Sequence, residues 1–219
     1  MKPLIQFARV GFSYDPQRPV LQDCDFELHA GQRVGLIGAN GSGKTTLLGL
    51  TVGLLKPTAG RIEAFGRLRT READFYEVRC RAGLLFQDSD DQLFCPTVAE
   101  DVAFGPLNLG RDRREVDQIV RQTLDSLGLA GYESRITYRL SGGEKRLVAL
   151  ATLLAMNPDV LLLDEPATGL DEQATERVLE TLAGLPQAML IVSHDRAFLK
   201  HLTRAALRLN QGRLEPSEW

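Results

Sequence analysis

Three short segments of the chain combine residue types and spacings that suit phosphate binding or the activation of water. The first, GANGSGKT at residues 38–45, matches the pattern G-x-x-x-x-G-K-[ST]. Its glycines let backbone N–H groups turn towards phosphate oxygens, and a helix that begins there adds the partial positive charge of its N-terminus. Lys44 supplies a cation for the β- and γ-phosphates, and the Thr45 hydroxyl can ligate Mg²⁺. We predict a nucleotide site that comprises Asn40, Gly41, Ser42, Gly43, Lys44, Thr45 and Thr46.

The second segment is VLLLDE at residues 160–165. Its four apolar residues predict a buried strand, and two carboxylates follow where ligands bind in open α/β sheets. Asp164 can hold Mg²⁺ through water, and Glu165, on the opposite side of the pleat, can polarise an attacking water molecule. The alternative is an acidic pair that only caps the next helix, and the phosphate loop makes that interpretation the weaker one.

The third segment, LSGGE, comprises Leu140, Ser141, Gly142, Gly143 and Glu144 and precedes a long predicted helix. Ser141 is suited to cap this helix, and the N–H groups of its first turn make a second anion site. If the two helix starts lie on separate lobes, one chain cannot easily close both on a single γ-phosphate. Head-to-tail pairing of two chains would satisfy this geometry and form two equivalent sites.

The elements that must position these segments alternate between strand and helix. Strands are predicted over 33–37, 62–65, 82–86, 160–163 and 189–193, and helices over 43–54, 141–156, about 171–182 and 195–201. Antiparallel strands are predicted over 4–14, 20–30 and 206–215, and residues from about 97 to 157 have helical spacing. This order predicts one α/β domain over 1–219, with a core at about 1–93 and 158–219 and a helical insertion at about 94–157.

Composition excludes several classes of protein. The net charge of −3 provides no broad basic face, so we expect no nucleic-acid partner. Three scattered cysteines fit a reducing compartment and predict neither a disulfide framework nor a zinc site. The basic run at Arg67–Arg71 is interpreted as a solvated face. With no apolar segment near the roughly 20 residues of a membrane span, we expect a cytoplasmic chain that needs other chains to cross a membrane.

The segments GANGSGKTT, LSGGEKR, LLLDEP and IVSHD, together with the turn at residues 169–171, have the order and spacing of ATP-binding-cassette (ABC) nucleotide-binding domains. The chain resembles that family over essentially its whole length. The resemblance implies a P-loop NTPase fold with a RecA-like parallel core sheet, an antiparallel β subdomain and an inserted α-helical subdomain. It also implies ATP and Mg²⁺ as cofactors, and a dimer in which residues 140–144 face the nucleotide of the other subunit.

The same resemblance assigns roles to four further positions. It implies that Gln87 contacts Mg²⁺ and senses the γ-phosphate, that His194 is the switch histidine, and that Asp171 crosses the dimer interface. Tyr14 resembles the aromatic residue that stacks on adenine, although a core aromatic is the alternative. The expected catalytic residues are therefore Glu165, His194, Gln87 and Lys44, and the expected Mg²⁺ residues are Thr45, Gln87 and Asp164.

The segment FQDSDDQLF at residues 86–94 and the sequence CPTVAEDVAFGPLNLG after it resemble the ATPase subunits of energy-coupling-factor importers, most closely those for cobalt and nickel. The resemblance implies an ATP-hydrolysing motor on the cytoplasmic face of the cell membrane, as a homodimer or paired with a paralogous ATPase. Its further partners would be a transmembrane coupling subunit and a substrate-binding membrane subunit. A vitamin-type importer is the alternative, although the short sequence after the last predicted strand favours the metal-ion branch.

Rival classes fit the sequence less well. ATPases of DNA repair and chromosome organisation insert a very long coiled coil between the two phosphate-binding segments, and the interval from Lys44 to Leu140 is too short for one. Translation-associated tandem cassettes carry two copies of these motifs, whereas this chain carries one. A regulatory protein that rarely hydrolyses ATP is disfavoured because Glu165, His194 and Asp171 are all present.

Overall fold

The computed structural model describes residues 2–218 and contains two β-sheets and seven α-helices within that range. The strands are β1 (Ile5–Asp15), β2 (Arg18–Leu28), β3 (Arg33–Ile37), β4 (Ala59–Ala64), β5 (Arg67–Arg69), β6 (Ala82–Leu85), β7 (Val160–Asp164), β8 (Ala188–Val192), β9 (Ala205–Asn210) and β10 (Arg213–Ser217). The helices are α1 (Lys44–Thr51), α2 (Phe75–Arg81), α3 (Val98–Asn108), α4 (Arg113–Ser126), α5 (Gly142–Ala155), α6 (Glu172–Gly184) and α7 (Arg196–Leu202).

The larger sheet has six strands in the order β10-β9-β3-β8-β7-β6. Strands β9, β3, β8 and β7 are paired in parallel, and β10 adds to β9 in the antiparallel direction. Every residue of β7 and β8 is buried, as expected for parallel strands covered on both faces. The smaller sheet is antiparallel, in the order β2-β1-β4-β5. This combination of a mostly parallel sheet, an antiparallel sheet and helices confirms the predicted α/β class.

The chain divides into two compact units. The first unit comprises residues 2–84, 159–164 and 186–218 and holds nearly all of both sheets with α1, α2 and α7. The second unit comprises residues 85–158 and 165–185 and holds α3, α4, α5 and α6. Residues 85–93 and 165–185, which the sequence analysis assigns to the core, cluster with these helices, and the predicted domain bounds stay a prediction.

Capping residues begin the helices of the second unit. The side chains of Thr97, Asp112, Ser141 and Asp171 each accept a hydrogen bond from a backbone N–H in the first turn of α3, α4, α5 and α6 respectively. Each cap satisfies one of the amides that has no partner within the helix. In the part of the chain that the structure describes, no helix is long and apolar enough to cross a membrane.

Strand β5 and helix α2 were not predicted, because the basic run at Arg67–Arg71 was interpreted as solvated. That interpretation is wrong for Arg69, which is only 5% exposed. Its guanidinium donates twice to the carbonyl oxygen of Ala64 and once to that of Asp74, and it pairs with the Glu77 carboxylate at 2.9 Å. Backbone carbonyls and a carboxylate replace water around the charge, so burial of this arginine does not leave it unpaired.

We expect Arg69→Met to lower the free energy of unfolding by about 2–4 kcal/mol, because it leaves buried carbonyl groups without a donor. Arg67→Met is the matched control, since Arg67 is exposed and pairs with the same Glu77 carboxylate at 3.6 Å. Its effect should stay within about 0.5 kcal/mol. Urea unfolding followed by circular dichroism measures both variants, and equal losses in the two would contradict a structural role for Arg69.

Candidate nucleotide-binding site

The predicted phosphate loop runs from the end of β3 into the first turn of α1, and its glycines are needed there for steric reasons. Gly41 and Gly43 have left-handed backbone conformations, with φ of 74° and 104°. A Cβ atom at Gly38 would lie 2.6 Å from the carbonyl oxygen of Leu209, so only glycine fits at that position. Backbone amides at the start of α1 can therefore face a bound anion.

Lys44 lies within this loop and is only 8% exposed. Its Nζ atom donates hydrogen bonds to the carbonyl oxygens of Gly38 and Ala39, at 2.9 and 3.0 Å. The loop's own backbone thereby holds the ammonium group in place at the N-terminus of α1. A positive charge fixed beside a helix N-terminus favours a polyphosphate over a neutral ligand.

Two oxygen atoms meet at the edge of the large sheet. The Thr45 hydroxyl donates a hydrogen bond to Oδ2 of Asp164, at 2.6 Å, and Asp164 is 3% exposed at the end of β7. Mg²⁺ binds proteins through one or two carboxylates, keeps several waters and accepts hydroxyl oxygens. Thr45 and Asp164 therefore fit Mg²⁺. The third predicted ligand, Gln87, is an exposed residue of the second unit, two positions after β6 ends.

Two more predicted residues belong to the first unit. The Tyr14 ring is 67% exposed, stands edge-on to Phe12, and its hydroxyl lies 3.2 Å from Oγ1 of Thr46 in α1. An aromatic ring tied to the helix that begins at the phosphate loop can offer its open face to a planar base. His194 is exposed and follows β8 by two residues.

The second predicted anion site lies at the start of α5. The Ser141 hydroxyl accepts from the amide of Glu144 at 3.2 Å, and the Glu144 carboxylate accepts from the amide of Ser141 at 2.8 Å. This reciprocal capping box fixes the first turn, in which Gly142 and Gly143 lie, whereas Leu140 is buried beside it. A cavity of about 1030 Å³ adjoins this turn and is also lined by Gln87 and Asp171.

Glu165 is 8% exposed and has a left-handed backbone with φ of 52°. Its carboxylate accepts a hydrogen bond from the Thr168 hydroxyl at 3.2 Å. Its carbonyl oxygen accepts from Nε and Nη2 of Arg146. A non-glycine residue keeps this conformation only where its surroundings hold it, and the Arg146 guanidinium is part of that support.

Arg146 is a site residue that the sequence analysis missed. It is 3% exposed in α5, and its Nη1 atom also donates to the carbonyl oxygen of Phe86, the residue before Gln87. A signal was available, because helical spacing places Arg146 on the same face as Leu150 and Leu153, which are buried. An arginine on an apolar helix face implies specific acceptors for its charge.

The predicted residues are divided between the two units. The first unit holds Tyr14, the loop residues 40–46, Asp164 and His194, and the second unit holds Gln87, residues 140–144, Glu165 and Asp171. Asp171 caps α6 by accepting from the amide of Ala174 at 2.8 Å and is exposed. The assignment of roles to these residues stays a prediction.

Comparison with known proteins shows the family. Residues 21–168 match the family model described as ABC transporter. A protein of Brucella suis biovar 1, provisionally named an ABC transporter ATP-binding protein, is 53% identical over 99% of this chain and 90% of that protein. The chain belongs to the ABC transporter family. As an ABC ATP-binding domain it binds ATP, and it serves a transporter as the ATP-binding subunit.

Further ABC proteins are similar over most of their length. The energy-coupling factor transporter ATP-binding protein EcfA of Methanothermobacter thermautotrophicus is 40% identical over 96% of this chain and 69% of that protein. Among solved structures, cbiO1 of Clostridium perfringens, part of the ABC transporter complex cbiONQ, has a TM-score of 0.85 and 29% identity. The similarity covers 98% of this chain and 88% of the cbiO1 chain. A dimeric bacterial ABC cassette has a TM-score of 0.89, covers 96% of each chain and, at 24% identity, shows the fold alone.

We expect Lys44→Ala to raise the dissociation constant for ATP about 10- to 100-fold, because a charge-assisted contact to phosphate is lost. Isothermal titration with Mg-ATP measures this effect. Lys56→Ala is the control, since Lys56 is an exposed lysine of the same unit and should leave the affinity unchanged. Wild-type affinity in Lys44→Ala, in a protein that melts at the wild-type temperature, would refute the placement of the phosphates.

Proposed function

We propose that this ABC chain is the ATP-hydrolysing motor of an energy-coupling-factor importer whose cargo is cobalt or nickel. The observation that carries the proposal is the placement of two anion-binding helix starts in different compact units of one chain. The phosphate loop at α1 lies in the first unit and the capped start of α5 lies in the second. In a head-to-tail dimer each subunit supplies its loop to one nucleotide and its Ser141 turn to the other.

The hydrolysis step assigns a task to each residue group. Lys44 and the loop amides bind the terminal phosphates. Thr45 and Asp164 would hold Mg²⁺, which would supply positive charge next to the phosphoryl oxygens. Glu165 accepts hydrogen bonding from the attacking water and orients it towards the γ-phosphate. Gln87 and His194 contact the γ-phosphate, and Asp171 reaches across the dimer interface.

The partner-facing surface is formed by the segment at residues 86–94 and helix α3. Gln92 anchors the segment, since its side-chain amide donates to the carbonyl oxygen of Ala149 at 2.8 Å and to the Thr152 hydroxyl at 2.9 Å. The buried Asp101 carboxylate accepts from the amides of Phe94 and Cys95. Exposed aromatic side chains on such a fixed backbone are suited to bury against another protein.

The exposed aromatic pair supports a helical membrane partner. Phe94 and Phe104 are 67% and 48% exposed, and their rings pack edge to face at 4.8 Å. A groove of about 800 Å³ adjoins Phe104, and its lining combines apolar residues of α3 and α4, among them Leu107, Val116 and Val120, with charged side chains of the same two helices. Such a groove suits an amphipathic helix, whose apolar face can pack on the apolar residues while its polar face meets the charged ones. We assign it to the coupling subunit, which places this chain at the cytoplasmic face of the cell membrane.

Two relatives support the subfamily. EcfA is named as an energy-coupling-factor protein, and cbiO1 is part of the cbiONQ complex. The resemblance of residues 86–110 to cobalt and nickel importers favours a metal ion as the cargo, with a vitamin as the alternative.

We expect Glu165→Gln to bind ATP but to lose hydrolysis by about 100-fold or more, because an amide does not act as a base. The variant should accumulate as an ATP-bound dimer in size-exclusion chromatography. Glu172→Gln is the control, since Glu172 is an exposed carboxylate in the first turn of α6. Hydrolysis by Glu165→Gln at the wild-type rate would refute the base assignment, and a strictly monomeric profile at saturating ATP would refute the composite site.

The cargo is tested in cells whose own copy of the chain carries Lys44→Ala. We expect them to take up less radiolabelled cobalt or nickel than cells with Lys56→Ala, because the importer lacks its energy source. Uptake of riboflavin and biotin should be equal in the two strains. Normal metal uptake together with reduced vitamin uptake would transfer the assignment to the vitamin-type importers.

A further inference from the structure

A carboxylate stands in the first turn of α5, where the proposed site must receive a polyphosphate. Glu144 is the third residue of this helix, and its Oε2 atom accepts from the amide of Ser141. A carboxylate at a helix N-terminus is favourable for the helix itself. It is unfavourable for a second anion, because it offsets the positive potential that would attract phosphate.

Two side chains of the preceding segment bind the other oxygen of this carboxylate. Oε1 of Glu144 accepts from the Tyr132 hydroxyl at 2.7 Å and from Nη1 of Arg135 at 2.9 Å. The Arg135 guanidinium also lies 3.5 Å from the centre of the Tyr132 ring, so the ring supports the cation from one side. The pKa of Glu144 is held below its usual value, most strongly by the hydrogen bond from the Ser141 amide, then by the Tyr132 hydroxyl, and also by the charge of Arg135. The group is therefore an anion at neutral pH.

The backbone of Arg135 is fixed as well. Its amide donates to the carbonyl oxygen of Tyr132 at 2.9 Å, and its own carbonyl accepts from the amide of Val98, the first residue of α3. The side chain thus extends from a turn that is tied to a helix start. Less conformational entropy is lost when such a preorganised cation pairs with a carboxylate.

We propose that Arg135, with Tyr132, is a positioning residue that neutralises Glu144 and thereby keeps the start of α5 attractive to the triphosphate bound by a second copy of this chain. The inference rests on the proposed function, because it requires that the Ser141 turn faces a nucleotide of the other subunit. Without Arg135, the Glu144 carboxylate repels the approaching phosphate. Closure of the dimer then needs a higher ATP concentration, whereas ATP binding by the separate subunit does not change.

The test is a double-mutant cycle between Arg135→Ala and Glu144→Gln. It is made in the Glu165→Gln protein, which should trap the dimer, and reads the ATP concentration at half-maximal dimer formation by size exclusion. With Glu144 present, we expect Arg135→Ala to raise this concentration about tenfold, which is the effect of about 1.4 kcal/mol. With Glu144→Gln, the same Arg135→Ala change should alter it less than about twofold, because no charge remains to neutralise.

Controls separate charge from folding. Arg135→Lys should leave the ATP concentration at half-maximal dimer formation near that of the parent protein, because lysine keeps the positive charge. Arg139→Ala should not change this concentration. The Arg139 guanidinium lies over the Tyr138 ring, 5.7 Å from its centre, and Tyr138 is not part of the cluster around Glu144. Melting temperatures and the affinity of the monomer for ATP should be equal across the series. If Arg135→Ala misfolds, Arg135→Gln takes its place in the cycle.

Two results would overturn the inference. If Arg135→Ala raised the ATP concentration needed for dimer formation equally with Glu144 and with Glu144→Gln, Arg135 would act on the phosphate itself or on the fold. If Arg135→Ala left this concentration unchanged with Glu144 present, the carboxylate would need no neutralisation. Failure of the proposed function has a different signature, since the Glu165→Gln parent would then form no ATP-dependent dimer at all.

Discussion

The buried guanidinium of Arg146 is the constraint on which the second unit depends. A buried charge is tolerated only when its donors are satisfied, and those of Arg146 bind the carbonyl oxygens of Phe86 and Glu165. The arginine belongs to the helix that begins after Ser141. One side chain thus ties α5 to the backbone beside Gln87 and to the backbone of the proposed base, Glu165. These three parts cannot shift independently without breaking charge-assisted hydrogen bonds.

The two units use the same physical device in different ways. In the first, the positive end of α1 is reinforced by Lys44, which the loop carbonyls hold in place. In the second, the positive end of α5 is capped by Ser141 and Glu144 of the same helix. The first helix start carries an added positive charge, whereas the second carries a carboxylate that offsets part of its positive potential. In the proposed dimer, contact between ATP and the start of α5 would form when the two subunits close and break when they open.

The sequence was sufficient for the parallel sheet, because runs such as VLLLD are apolar on both faces and lie beside recognisable phosphate motifs. It also predicted the cap at Ser141, whereas the cap at Asp171 is a finding of the structure. It was not sufficient for β5, α2 and Arg146, because whether an arginine is solvated or buried depends on how the folded backbone arranges acceptors around it. Arg69 and Arg146 bind mainly backbone carbonyls, which every residue possesses, so no type of acceptor residue marks them in the sequence. For Arg146, the available signal was its place on an apolar helix face. The Tyr132–Arg135–Glu144 cluster was missed for a related reason: its hydrogen bonds depend on the path of the loop before α5.

The left-handed backbone of Glu165 has an evolutionary consequence. A residue with a side chain costs about 1 kcal/mol or more at such a φ, and glycine would adopt the same conformation without that cost. Selection for folding alone would therefore favour glycine at this position. If Glu165 is the base, as proposed, a requirement for ATP hydrolysis is what would keep a glutamate here against that cost. Under that proposal, position 165 would separate chains that hydrolyse ATP from chains that keep only the fold.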